Sequence, residues 1–310
     1  MNTLSKSPVH VAQQALSVAT EVLPLYAHRF SPKKYTQPQL FACLALKVFF
    51  RTDYRGITVY LNDLADLRRV LGMSEVPHFT TLHKACKRLL KQPHARELFA
   101  ATVRRHLGRR RRADRVALDS TGLDCGHRSS YYVRRRHKAL TGFQNITYKR
   151  FAKLELAVEC DTHLIVGVLV GRGPRPDVDR FEPLLDDTLS HVAPRSVLAD
   201  AGYDSEPNHR YARDEHQIRS FMPATLGRPT QKLPTGRYRR QMKQRLTKTY
   251  GQYGQRWQVE TAISMIKRRL ATCINGRSYW SERRDVMLLA ITYNLMLVIQ
   301  IIGFLQSISF

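Results

Sequence analysis

From Arg115 onward the apolar residues change their spacing, and that change limits the fold more than any other feature of the chain. Arg115 to Thr121 is a short β-prone run, and Leu154 to Val170 carries two more around a polar turn at Asp161 to His163, the pattern of a hairpin. Ser196 to Ala199 reads as a short buried strand and Ile218 to Met222 as a last one. Helical spacing occupies Phe181 to Leu189, Asn208 to His216, Gln252 to Ala271 and the segment from Arg283 onward, while Thr225 to Lys248 reads as a basic loop with glycine and proline. Strands interleaved in this order with helices predict an α/β fold, a mixed sheet with helices on its faces.

Upstream, residues 9 to 107 are helical in pattern, with apolar residues at helical spacing in Gln37 to Phe50, Val59 to Leu71 and Phe79 to Leu90. Gly72 ends one helix, and Ser74 with Pro77 opens the next. The second helix of this pair turns His83, Lys84, Lys87 and Arg88 to solvent, as a helix reading a DNA groove does. Helix pairs are common, so the pattern alone is not specific. The Arg-rich stretch Arg109 to Arg115 marks the change of composition, giving an expected helical domain over 1–112 and an α/β domain over 113–310.

Lys and Arg number 51 against 25 Asp and Glu, a net charge of +26. Such a field concentrates polyanions, nucleic acid before anionic membrane. The cations cluster in Arg104 to Arg115, Arg128 to Lys153 and Arg219 to Arg256, and no acid stands between His216 and Val259. With 43% hydrophobic residues the chain still has the means to build a core, which argues against wholesale disorder.

The five cysteines form no CxxC, and their odd number argues for a reducing cytoplasm over a disulfide framework. Cys125 with His127 and Cys160 with His163 permit a zinc site, but neither spacing is a ligand pattern, and isolated structural side chains are the simpler reading. Met1 to Phe30 lacks the continuous apolar stretch of a signal peptide. The uncharged run Val286 to Phe310 is long enough to span a bilayer, yet it contains Asn294, Gln300 and Gln306 and stands alone, so a buried core helix and no membrane partner are expected.

Three acids are the candidates for chemistry. Asp119 lies in VALDSTG between residues that a strand would bury, where a carboxylate needs a cation or a set of donors; an arginine partner is one such solution. Asp200 ends the apolar run Val197 to Ala199 and precedes Gly202, at a strand's carboxyl end, where α/β sheets place their ligands. Asp204 competes with it, its alternative role being to cap the helix beginning near Pro207. On a helix TYGQYGQRWQVETAISMIKRRL, from Thr249 to Leu270, Tyr253, Arg256, Glu260 and Lys267 fall within an arc of about 60°, beside an apolar stripe of Val259, Ile263, Ile266 and Leu270. Surface ion pairs explain an acid between cations equally well. Three carboxylates from separate segments can instead hold two divalent ions about 4 Å apart, and ligation by oxygen alone points to Mg²⁺ or Mn²⁺.

Tyr253-x2-Arg256-x3-Glu260-x6-Lys267, with LDSTG around Asp119 and LADAGYDS around Asp200, resembles the Y-(2)-R-(3)-E-(6)-K signature and first two acidic motifs of insertion-sequence transposases, in the superfamily spanning families four and five. The resemblance implies a ribonuclease H-like catalytic domain with Asp119, Asp200 and Glu260 as catalytic metal ligands. It implies Mg²⁺ or Mn²⁺ as cofactor, double-stranded DNA of the element ends and target as partner, and at least a homodimer in the active complex. Tyr253, Arg256 and Lys267 would then position phosphates, and Trp257 would stack on an unpaired base or pack in the core. Only 59 residues separate Asp200 from Glu260, too few for the large β-rich insertion of some relatives, so the resemblance does not extend to a mechanism that depends on that insertion, such as a hairpin intermediate. A catalytically silent DNA-binding derivative and another ribonuclease H-like nuclease are the alternatives.

Overall fold

The computed structural model describes residues 4–108, 111–126, 151–224, 232–245 and 250–298. His127, most of the run Arg128 to Lys153, parts of Thr225 to Lys248 and the end of the apolar tail lie outside the described residues.

The sheet is ordered β3-β2-β1-β4-β5, from β1 (Arg112–Cys125), β2 (Phe151–Glu159), β3 (Ile165–Gly173), β4 (Ala193–Ala199) and β5 (Arg219–Phe221). β2 is antiparallel to β1 and β3, whereas β1, β4 and β5 run parallel. This is the mixed sheet expected from the interleaving of elements, in the ribonuclease H-like arrangement that the resemblance implies. β1 is the central strand, with Val116, Ala117 and Leu118 all buried, as layers on both faces require. It is longer than the run Arg115 to Thr121, because Asp124 and Cys125 continue it to pair with a short β6 (Cys273–Ile274). The hairpin between β2 and β3 turns where expected, with His163 at φ 60° and the Glu159 carboxylate accepting from the Asp161 and Thr162 backbone N–H groups at 3.2 and 2.7 Å.

Among the described residues six helices precede the sheet: α1 (Pro8–Val22), α2 (Gln37–Phe49), α3 (Tyr54–Asp63), α4 (Ala65–Val70), α5 (Phe79–Leu89) and α6 (His94–Leu107). Thr36 and Gln39 form a capping box at the start of α2. The periodic stretch Val59 to Leu71 is two helices rather than one. Leu64 leaves helical geometry at ψ 83°, and Arg68 Nη1 reaches back to the carbonyls of Leu61, at 2.7 Å, and Asn62, satisfying acceptors that the break frees.

α7 (Phe181–Leu189) packs on β2, β3 and β4. The expected helix Asn208 to His216 is α8 (Glu206–Arg210) running into a π-helical turn, Tyr211–Glu215. Within the expected loop Thr225 to Lys248 stands a helix, α9 (Arg237–Arg245). Its existence depends on acids far back in sequence: the Glu206 carboxylate accepts from the backbone N–H groups of Tyr238 and Arg239 at 3.2 and 3.1 Å, a negative charge on free helix donors. Gly236, at φ 99°, permits that approach; a Cβ there would lie 2.2 Å from Glu206 Oε2.

The signature segment folds as α10 (Tyr250–Tyr253), a 3₁₀ turn (Gly254–Arg256) and α11 (Trp257–Arg269). α12 (Tyr279–Met296) begins four residues before Arg283, behind a capping box of Ser278 and Ser281. It packs against α1, α2 and α6 on one side and β2 and β3 on the other, so the helical region and the sheet share one core. Asn294 fixes this junction, accepting from Ile165 N at 3.1 Å and donating to Ile165 O and Thr102 Oγ1 at 2.9 and 3.0 Å. The described part of the uncharged tail is thus a core helix, and among the described residues no helix is long and apolar enough to cross a membrane.

Candidate active site

Register brings the first two acids together. Leu118 of β1 stands opposite Ala199 of β4 in the parallel pair, so the residues that follow, Asp119 and Asp200, leave side by side as β4 ends. Asp119 Oδ1 accepts from Ser120 N at 2.7 Å. Asp200 caps a single 3₁₀ turn, Ala201–Tyr203, accepting from Gly202 N at 2.9 Å. A Cβ on Gly202 would lie 3.1 Å from Asp200 Oδ1 and 3.5 Å from Asp177 Oδ2, so glycine lets these two carboxylates close over the backbone.

Glu260 comes from the first turn of α11. Val259, Ala262, Ile266 and Leu270 bury that helix against β1 and β2, with Ile263 only partly covered. The four signature residues do not share one continuous helix: Tyr253 ends α10, Arg256 closes the 3₁₀ turn, and only Glu260 and Lys267 lie on α11. Gly251 and Gly254 lower the helical preference where the break occurs. Arg256 nevertheless joins two of the acids. Its Nη1 lies 3.8 Å from Asp119 Oδ2, and its Nη2 bonds Glu260 Oε1.

Burial pushes the Asp119 carboxyl up to about 6; the charges of Asp200 and Glu260 push the same way, while the Ser120 N–H and Arg256 oppose them. Among the described residues no three His, Cys, Asp or Glu side chains are gathered to hold a metal ion, and the Arg256 guanidinium stands where Asp119 and Glu260 would share one. The donors still suit a hard divalent cation: all are carboxylate oxygens, their mutual repulsion is what a cation relieves, and half of the Glu260 side chain is open to solvent. Carboxylate oxygens of this kind suit Mg²⁺ or Mn²⁺.

Asp204 is committed elsewhere. Its fully buried carboxylate receives Arg239 Nε at 2.9 and 3.1 Å and Nη2 at 2.7 Å, with His209 Nε2 at 3.7 Å. Capping of α8 falls instead to Ser205, whose hydroxyl accepts from Asn208 N at 3.1 Å.

His83, Lys84, Lys87 and Arg88 are exposed on α5 as expected, although Arg88 Nε also donates to Gln37 Oε1 at 3.2 Å. Tyr253 and Lys267 are half-buried, and Trp257 is 47% exposed, which removes core packing as its explanation. Cys160 Sγ lies 3.8 Å from Gln255 O and His163 Nε2 bonds Gln258 Oε1, so both tie the hairpin turn to the signature segment. Cys125 is buried beside Glu282, and its proposed companion His127 lies outside the described residues.

Sequence reasoning missed the polar layer beside the acids. Lys153, buried, lies 2.6 Å from Asp177 Oδ1, and Arg180 Nε donates to both oxygens of buried Glu155 at 2.8 and 3.0 Å. Burial raises the Glu155 carboxyl, against the pull of Arg180. A signal existed: Lys153 and Glu155 are two apart in a strand whose only other charged residue is Glu159 at its end, and so share a face. Tyr203, wholly buried with no hydrogen-bond partner for its hydroxyl among the described residues, faces Asp177, Asp119, Glu155 and Asp200; burial foremost, then these charges, pushes its phenol up.

Neighbouring aspartates where the β1–β4 pairing ends, a glutamate joined to one of them through an arginine and a chain charge of +26 suit a protein that works on nucleic-acid backbones. Residues 110–295, more than half the chain, match the transposase DDE domain; the protein belongs to that family, and its function is that of a DNA transposase. No curated protein matches it. Among solved structures it is similar to the piggyBac transposase synaptic complex with hairpin DNA, at 9% identity and a TM-score of 0.46, over 95% of this chain and 76% of that one.

Proposed function

We propose that the protein is an insertion-sequence transposase of the superfamily spanning families four and five, which binds the terminal inverted repeats of its element, hydrolyses a phosphodiester at each end and joins the 3′ hydroxyls to target DNA. The observation that carries this reading is the meeting of Asp119 and Asp200 across the β1–β4 register, with Arg256 linking Asp119 to Glu260. The Y-(2)-R-(3)-E-(6)-K spacing supports the superfamily.

In this reading Asp119, Asp200 and Glu260 hold Mg²⁺ or Mn²⁺, which when bound activates a nucleophile and stabilises the leaving oxygen. Arg256 exchanges its two carboxylates for a DNA phosphate, for which a guanidinium's paired donors are well suited. Lys267, half-buried and without an ion pair among the described residues, adds a point charge, and Tyr253 lines the same approach. Trp257 stacks on a base freed at the cut end. Lys84, Lys87 and Arg88 on α5 contact the inverted repeat. Pairing two ends calls for a homodimer or larger assembly, working in the cytoplasm at the nucleoid.

The test is cleavage of DNA carrying the element's ends in Mg²⁺ or Mn²⁺. Asp119→Ala, Asp200→Ala and Glu260→Ala should each bind DNA and fail to cut it; undiminished cutting by any of them removes that residue from the site. The bridging of Asp119 and Glu260 by Arg256 favours one competing reading, a catalytically silent DNA-binding derivative, which predicts binding without metal-dependent cutting.

A further inference from the structure

A cleft of about 500 Å³ opens where the amino-terminal helices meet the outer edge of the sheet, and none of Asp119, Asp200 and Glu260 lines it. α12 supplies one wall through Trp280, Arg283, Arg284 and Met287, residues at helical spacing along one face. Lys87, from α5, and Lys91, which follows it, supply the opposite wall. The floor is apolar: Leu90, Ala95, Val168 of β3 and Met287 are all buried there.

Two properties set this cleft apart from an ordinary surface groove. Lys87, Lys91, Arg283 and Arg284 have no ion pair among the described residues, in contrast to Arg96 and Arg180 on the same cleft, which are held by Asp187 and Glu155. Trp280, one of only two tryptophans in the chain, is 62% exposed at the rim, with the Arg283 guanidinium 6.0 Å from its ring centre. An indole left in water beside an apolar floor, near four cations that form no ion pair among the described residues, matches a ligand with a flat apolar body and negative charges. Duplex DNA presents the charges without the body.

We propose that this cleft holds a single-stranded stretch of the element-end DNA, one base stacked on Trp280 over the apolar floor and the adjoining phosphates on Lys87, Lys91, Arg283 and Arg284. The assignment rests on the transposase reading above and extends it to a surface outside the carboxylate site. Position supports it. β3 lies two strands from β1, about 10 Å across the sheet, so a strand engaged at Asp119 reaches the cleft within a few nucleotides. Lys87 is also one of the outward cations of α5, which places the cleft between the helix proposed to read the repeat and the sheet that carries the acids.

The experiment measures binding of full-length protein to three probes: a labelled single-stranded 12-mer, a blunt duplex of the element end, and dTMP as competitor. Trp280→Ala should weaken single-strand binding about tenfold, the loss typical of one base–aromatic stack, while Trp280→Phe restores most of it. Duplex affinity should change less than twofold. Lys91→Ala and Arg283→Ala should each weaken the single strand severalfold and flatten its salt dependence. Unchanged single-strand affinity in Trp280→Ala overturns the proposal, as does displacement of the 12-mer by dTMP at equal concentration, which would mark a free-nucleotide site. Metal-dependent cutting of the duplex is read on the same wild-type samples. Its loss together with all DNA binding refutes the transposase reading itself, whereas intact cutting with an indifferent Trp280→Ala refutes the cleft alone.

Discussion

Asp200 and Asp204 stand four residues apart in one motif, and their removal is expected to fail the protein in opposite ways. The Asp204 side chain has no solvent exposure and meets Arg239, itself 18% exposed, through three contacts between 2.7 and 3.1 Å. Removing one partner of a buried pair leaves the other charged and uncompensated, at a cost of about 3–5 kcal/mol. At roughly 2 °C per kcal/mol for a chain of this size, Asp204→Ala should lower Tm by about 6–10 °C. Because Arg239 anchors α9, hydrogen exchange in Arg237–Arg245 should quicken as well. Among the described residues the Asp200 carboxylate accepts one hydrogen bond, from Gly202 N at 2.9 Å, and its charge repels Asp119. Asp200→Asn should therefore leave stability within about 0.5 kcal/mol of wild type while abolishing metal-dependent cutting. Calorimetry of the two variants beside wild type decides the matter. An Asp204→Ala protein within 1 °C of wild type, or an Asp200→Asn protein that is the less stable of the two, would refute the division of roles.

Three further outcomes follow from the same geometry. Glu155→Ala strands the Arg180 guanidinium, which is 17% exposed, and should cost about 3–5 kcal/mol in urea unfolding, with Glu155→Gln recovering part of it. Asn294→Leu leaves Ile165 N and O and Thr102 Oγ1 without their buried partner and should cost about 2–4 kcal/mol, read as a lower urea midpoint; a change below 0.5 kcal/mol would mean the junction of α12, β3 and α6 does not depend on it. Trp257→Ala, at an exposed position, should leave Tm unchanged and weaken binding of element ends with unpaired termini about tenfold, an effect absent on blunt duplex.

What the sequence disclosed and what it hid divide along a physical line. The β2–β3 hairpin, Phe181–Leu189 and the strand ending at Ala199 were legible because local apolar spacing determines them. α9 was not, since its nine residues contain no apolar stripe of helical length and its anchors, Asp204 and Glu206, lie some thirty residues earlier. The break between Val59 and Leu71 was hidden for a related reason: carbonyls freed at Leu61 and Asn62 are taken by Arg68, a contact no periodicity encodes. At the site, residue types and spacing selected Asp119, Asp200 and Glu260, but the treatment of the signature as one helix misplaced Tyr253 and Arg256. The arginine's position between two acids is a tertiary fact, arising only when α11 docks on β1 and β2. The layer of Lys153, Asp177, Glu155 and Arg180 had one legible half, the charges two apart in β2; their partners on the far loop had no sequence signal.

The central claim is that Asp119, Asp200 and Glu260 form one metal-dependent centre for cutting DNA. It is tested most directly by titrating Mn²⁺ into the full-length protein bound to element-end DNA and measuring strand cleavage on the same samples, for wild type, Asp119→Asn, Asp200→Asn and Glu260→Gln. The account predicts Mn²⁺ binding and cleavage in the wild type, with each variant folded, bound to DNA, weakened in Mn²⁺ affinity at least tenfold and slowed in cleavage at least a thousandfold. A variant that keeps wild-type Mn²⁺ affinity and cleavage would contradict it.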